Sequence, residues 1–218
     1  MSFVQKPPFW LKCLTEKHLL WQMPAGQKRL YLTFDDGPNP GITAEVLEVL
    51  DSFRVKATFF VLGEKADQHP ELVDDILKGG HGLGSHGWLH LDGWKTSTAT
   101  YTENAGKHTQ TMPLSLFRPP FGRITPKQTA TLRKMGFQIV MWSASAEDYS
   151  GKIHNDHSLR KLLSKTHDGS IVLFHDSPQA IINCRFMLPK VLDHFLSKNY
   201  HFELLPGAYV QQDRSAPL

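Results

Sequence analysis

The sequence has little cysteine, little net charge and no long apolar run, and each shortage argues against a class of protein. Its two cysteines, Cys13 and Cys184, lie far apart and form no C-x-x-C pair. They read as free thiols rather than a disulfide framework or a zinc knuckle. The formal net charge of +3 comes from 24 basic and 21 acidic residues with no basic block. No nucleic-acid partner is expected on that balance. No stretch reaches the roughly 18 apolar residues of a bilayer span, so no transmembrane segment is expected. The first 24 residues, MSFVQKPPFWLKCLTEKHLLWQMP, lack an uninterrupted apolar core and a small-residue cleavage site. They do not read as a secretory signal, which makes the chain as written cytoplasmic, and extracytoplasmic only if it was trimmed. Repeats, low-complexity tracts and linkers are missing too, and 218 residues suit a single domain.

What is present is an alternation of strand and helix signals. Residues 29–34 (RLYLTF) read as a strand, 42–53 as a helix, 57–62 as a strand, 70–78 as a helix and 82–85 as a short strand. Helices follow at about 98–111, 126–135, 158–166 and 188–199, separated by strands at 114–117, 137–142 and 170–174 and followed by one at 200–205. Such alternation predicts a parallel sheet with right-handed crossovers, as a barrel or an open sheet. Trp10, Leu14, His18 and Trp21 share one face if 9–21 is helical, which predicts a helix closing the barrel bottom. The expected division is 1–28 as an N-terminal helical segment, 29–207 as the main domain and 208–218 as a tail.

Polar clusters fall where strands end. Asp35-Asp36 follow the first strand, and His86 and His90 follow the third. Arg118 follows LSLF, Asp148 comes soon after FQIVMW, and His175-Asp176 follow SIVLF. In parallel α/β folds the ends of strands leading into helices carry the ligand site. Between His86 and His90 the i, i+4 spacing puts two imidazoles on one side of a single helical turn. Two imidazoles and a carboxylate suit Zn²⁺ and leave a fourth position open. Among 12 histidines that spacing alone is weak evidence. Adjacent carboxylates at a strand end can divide labour, one binding metal while the other faces a water. Arg118 opens RPPFG, whose prolines and glycine describe a rigid, bent loop.

Taken together these residues resemble the polysaccharide deacetylase family, also called the NodB-homology domain or carbohydrate esterase family four. Five motifs occur in the family's order over 31–206: TFDDG at 33–37, the pair His86 and His90, RPPFG at 118–122, Asp148-Tyr149, and Leu173-x-His175. The resemblance implies a distorted (β/α)7 barrel and one divalent metal ion, usually Zn²⁺, with Co²⁺, Ni²⁺ or Mn²⁺ as alternatives. It implies Asp36, His86 and His90 as metal ligands, Asp35 as general base and His175 as general acid. Arg118 would orient Asp35, and Asp148 would hold the His175 ring. The Phe121 N–H would help hold an oxyanion, Leu173 would line the acetyl-methyl pocket, and Tyr149 would form one wall of the substrate groove.

Three positions depart from the family pattern: Gly87 where Ser or Thr is usual, Phe121 where Tyr is frequent, and Tyr149 in place of Trp. The implied activity is hydrolysis of N-acetyl groups on N-acetylglucosamine-type sugars, with an acetylated carbohydrate as the substrate partner. Alternatives are an O-acetyl esterase on a polysaccharide such as xylan, a cyclic-amide hydrolase of the same fold, and a non-catalytic carbohydrate-binding module. Trp88, Trp94 and Trp142 read as core or sugar-stacking rings, and Asp176 as a turn or cap residue. The other nine histidines, among them His154, His157 and His167, read as surface residues.

Overall fold

A computed structural model describes residues 15–107 and 112–211. Its strands are β1 (Leu19–Leu20), β2 (Arg29–Asp35), β3 (Thr58–Val61), β4 (Gly82–Ser85), β5 (Leu116–Phe117), β6 (Gln138–Val140), β7 (Ala144–Ser145), β8 (Ile171–His175) and β9 (His201–Phe202). Its helices are α1 (Ile42–Ser52), α2 (Gly63–Gln68), α3 (Pro70–Lys78), α4 (Thr98–Gly106), α5 (Pro126–Lys134), α6 (Asp156–Lys165) and α7 (Ile181–Leu196).

The sheet runs β1-β6-β5-β4-β3-β2-β8-β7, and β9 pairs with β2 at its start. All of these pairings are parallel. β6 and β7 follow one another in the chain, yet the first pairs with β5 and the second with β8. That bent segment bridges the two ends of the sheet, which curls into the distorted (β/α)7 barrel the resemblance implies. β2 shows why a strand can serve there. From Leu30 to Asp35 every residue is buried, as expected of a parallel strand covered on both faces. Leu30, Leu32 and Phe34 pack outward with Val46 and Leu50 of α1 and with α7. Alternation turns Tyr31, Thr33 and Asp35 into the barrel. On β8, Ile171, Leu173 and His175 are paired with those same three positions, so Asp35 and His175 stand side by side at the open end.

The structure corrects several sequence expectations. Within the helix expected at 9–21, residues 16–18 form a turn and Leu19–Leu20 are β1, which pairs with β6. Residues 9–14 lie outside the described residues, as do 108–111 of the helix expected at 98–111. Helix α2 was not foreseen, nor was β7. α7 begins at Ile181, seven positions before the expected start, because Pro189 lies inside the helix. Proline favours the first helical turn, so its position mimics a start signal. No described helix is long and apolar enough to cross a membrane.

Candidate metal centre and active site

Asp35 is the last residue of β2, and Asp36 begins the turn after it with φ 76, a left-handed conformation that Asp tolerates better than most residues. This change of backbone region sends two consecutive carboxylates in different directions. Lys65 Nζ and Asn39 Nδ2 donate to the Asp36 carbonyl at 2.8 and 3.1 Å and hold the turn. Beneath it lies Asp176, fully buried. Its Oδ2 accepts from Thr43 Oγ1 at 2.6 Å, its N–H donates to the Asp35 carbonyl, and its own carbonyl accepts from Asn39 Nδ2 at 2.6 Å. Gly37 passes so close that a Cβ there would stand 2.1 Å from Asp176 Oδ2. Burial, reinforced by the Asp36 charge and opposed by the Thr43 bond, pushes the Asp176 carboxyl up to about 7. Asp176 is thus an internal anchor of the site, buried beneath the turn.

Side chains of Asp36, His86 and His90 offer ligand atoms that all lie within 4.8 Å of one another. His86 Nε2 is 3.5 Å, and His90 Nε2 is 3.2 Å, from Asp36 Oδ1. His86 Nδ1 is 2.8 Å from the Arg118 carbonyl, which places the ring proton on Nδ1 and the lone pair on Nε2, facing Asp36. Burial, only partly opposed by the Asp35 charge, lowers the His86 pKa to about 4, so the ring is neutral. Asp36 is held below the usual carboxylate range. Burial acts against this, but the close His90 ring and the charge of His175 outweigh it. Asp36 Oδ1 is nevertheless buried without a hydrogen-bond partner. A neutral imidazole lone pair aimed at an orphaned carboxylate oxygen fits a divalent cation between them.

Two tethered pairs flank that point. Arg118, fully buried, donates from Nη1 to Asp35 Oδ1 at 2.7 Å and to Thr33 Oγ1 at 2.8 Å, and from Nη2 to the Met141 carbonyl at 3.0 Å. Its guanidinium lies 4.1 Å over the Phe60 ring. The other carboxylate oxygen, Asp35 Oδ2, stands 3.9 Å from His86 Nε2. Opposite, Asp148 accepts from both the ring and the backbone of His175, each at 2.8 Å. Burial alone would lower the His175 pKa. The charge and hydrogen bond of Asp148, with the charges of Asp36 and Asp35, raise it instead to about 9. Asp148 follows the unforeseen β7 rather than the strand before it, and Asn183 Nδ2 on α7 fixes its carbonyl at 2.8 Å.

Asp35, Asp36, His86, His90 and His175 open onto one cavity of about 600 Å³, also lined by Leu173, Trp142, Phe121 and Tyr149. Phe121 sits in a 3-10 turn at φ 58, its ring 4.4 Å from that of His90. The Gly122 and Arg123 N–H groups are tied to the Pro119 and Pro120 carbonyls, and the Phe121 N–H is not part of that bonding. Tyr149 packs edge-on to His175 at 4.8 Å. Trp142 is buried at the cavity wall, whereas Trp94 is half exposed outside it. Every site residue singled out in the sequence is thus brought to one end of the barrel. Two expectations fail locally. Residues 86–90 form a bend and not a helical turn. His81, expected at the surface, is buried, with its Nδ1 accepting from the Ala57 N–H at 3.1 Å. Lys65 and Asn39 were missed, because Lys65 holds the Asp36 carbonyl and Asn39 the Asp176 carbonyl, each distant in sequence.

A parallel barrel carrying two imidazoles and a carboxylate at its open end, beside a tethered carboxylate and a tethered imidazole, is an arrangement suited to metal-assisted hydrolysis. The particular family follows from comparison. The polysaccharide deacetylase family model matches residues 22–140, more than half of the chain, and the chain belongs to that family. Asp148 and His175 lie beyond the matched stretch. The chain is 41% identical over 190 residues to the peptidoglycan-N-acetylglucosamine deacetylase PgdA of Listeria monocytogenes, covering 84% of this chain. It spans only 39% of that relative's length. Among solved structures, the Bc1960 peptidoglycan N-acetylglucosamine deacetylase, in complex with a naphthyl-substituted N-hydroxybenzamide, superposes with TM-score 0.83 at 27% identity, covering 95% of this chain and 99% of that one. The Bacillus anthracis protein BA3943, a pseudoenzyme of carbohydrate esterase family four, gives 0.75 at 19% identity, covering 84% and 66%. That likeness shows the fold alone.

Proposed function

We propose that the chain is a metal-dependent deacetylase that hydrolyses the N-acetyl groups of N-acetylglucosamine-type sugars in a glycan or oligosaccharide, with Zn²⁺ held by Asp36, His86 and His90. The observation that carries this is the convergence of those three ligand atoms between an arginine-anchored carboxylate and an aspartate-paired imidazole. The names of the peptidoglycan-directed relatives support the choice of sugar.

When bound, the cation acidifies a water and polarises the acetyl carbonyl. Asp35 uses Oδ2, the oxygen nearer the cation ligands, to take a proton from the attacking water, while Arg118 holds Oδ1 still. The Phe121 N–H donates to the carbonyl oxygen as negative charge builds there. An amide anion is a very poor leaving group, so breaking the C–N bond requires a proton delivered to nitrogen. His175 carries it, kept protonated near neutral pH by Asp148. Leu173 walls the space for the methyl group, and Tyr149 bounds the groove beside His175. Acetate and the free amine are the products.

The test is acetate release from N-acetylglucosamine oligomers, peptidoglycan and acetylated xylan, measured before and after chelation and again after zinc is restored. Release from the N-acetylated glycans, lost with chelator and regained with zinc, is the expected result. No release from any N-acetylated glycan by the zinc-loaded protein contradicts the proposal, and release from xylan alone makes the chain an O-acetyl esterase.

A further inference from the structure

His86 and His90 are brought together without a helix, so helical hydrogen bonds cannot set their separation. Their ring centroids are 5.1 Å apart across a bend that begins at Gly87, whose φ is 88. On one side α2 fixes this bend, since the Gly63 and Glu64 N–H groups donate to the Gly87 and Trp88 carbonyls at 2.9 and 3.1 Å. On the other side stands Asn104 of α4. Its backbone carbonyl accepts from the Trp88 N–H at 3.0 Å. Its side-chain Oδ1 accepts from the Leu89 N–H and its Nδ2 donates to the Leu89 carbonyl, both at 2.9 Å. The amide therefore satisfies both backbone groups of the residue before His90. Lys107, one helical turn on, adds an ammonium 3.7 Å over the Trp88 ring.

Gly87 and Asn104 depend on each other. A Cβ at position 87 would stand 2.7 Å from Asn104 Nδ2 and 3.0 Å from the Leu89 carbonyl oxygen, so a side chain there competes with the Asn104 bonds for the same space. The left-handed backbone adds a further cost for any residue with a Cβ. We infer that Asn104 is a positioning residue of the metal centre, fixing the bend that presents His90 to the cation alongside His86. This rests on the reading of Asp36, His86 and His90 as ligands. A primary amide is the group required, because it donates and accepts at once. A carboxylate of the same size keeps the bond from the Leu89 N–H and sets a second acceptor against the Leu89 carbonyl.

Zinc affinity, measured by competition with a chromophoric chelator, tests this on the wild-type protein, Asn104→Ala, Asn104→Asp and, as a control on the exposed neighbour, Glu103→Ala. Outer partners of metal ligands commonly change affinity by about 10–100-fold. At least a tenfold weakening is expected in Asn104→Ala, a loss of the same sign in Asn104→Asp, and none in Glu103→Ala. Unchanged zinc affinity in both Asn104 variants overturns the inference, whatever their thermal stability. If Asn104→Ala fails to fold, Asn104→Asp carries the test. If the wild-type protein itself binds no zinc, the ligand assignment fails instead. Amide exchange at Leu89 in the metal-free protein then decides for Asn104: faster exchange in the variants supports its hold on the bend, and equal exchange overturns it.

Discussion

Asp35 and His175 end neighbouring strands in register, and each is tied to a buried partner, Arg118 or Asp148, whose side chain is entirely out of solvent. Phe121 and Tyr149, on loops at the mouth of the same cavity, are 51% and 41% exposed. The inner wall inherits its precision from the sheet, because a strand's period of two fixes which side chains enter the barrel. The rim takes its shape from loops, which can vary without disturbing the strands beneath. Two of the three departures from the family pattern, Phe121 and Tyr149, lie at this rim. The third, Gly87, lies in the bend that joins rim to wall, where Asn104 holds it. On the proposed mechanism, proton transfer belongs to the rigid wall and substrate selection to the rim.

Asp35→Asn offers the largest effect. Loss of the general base should lower kcat by roughly 10²–10⁴-fold while zinc stays bound. Parallel measurements of turnover and zinc content check this, and retained turnover would take Asp35 out of the mechanism. Asp148→Asn comes next. The His175 pKa is raised to about 9 and the ring acts when protonated, so activity should fall as pH rises through that value. Without the Asp148 charge, burial lowers the ring pKa, and the alkaline limb of the kcat profile should move down by roughly 1–3 pH units. The same shift is a stability effect. A group whose pKa is raised on folding stabilises the protein fully below its ordinary value of 6.5, and the gain is lost as pH rises through about 9. Thermal melting of the metal-free protein across pH 6–10 should lose that alkaline decline in Asp148→Asn. An unmoved limb would separate His175 from proton delivery. The smallest effect belongs to the rim. Tyr149→Ala should raise KM several-fold on oligosaccharides and change kcat little; a dominant loss in kcat would show that the rim shares in the chemistry.

Much of the inner wall is legible in the sequence. TFDD, LSLFR and SIVLFH each carry a polar residue at the end of a short apolar strand, and parallel topology collects such ends at one place. Spacing alone misleads at His86 and His90. An i, i+4 interval predicts a helical turn, whereas the chain achieves the approach with a left-handed glycine and a bend. Lys65, Asn39, Asp176 and Asn104 were not legible as supports, since each makes a hydrogen bond to a residue that only the fold brings near. Strands of two residues, such as β1 and β7, leave no periodic signal. His18 and Trp21 share a face in a helix, so their spacing does not reveal the turn and strand found there.

X-ray diffraction from zinc-loaded crystals, collected above and below the zinc absorption edge, tests the metal centre directly. The account predicts one anomalous peak bounded by Asp36 Oδ1, His86 Nε2 and His90 Nε2, at about 2.0–2.2 Å from each. A protein loaded with zinc at some other set of side chains, leaving these three without a peak, would contradict it.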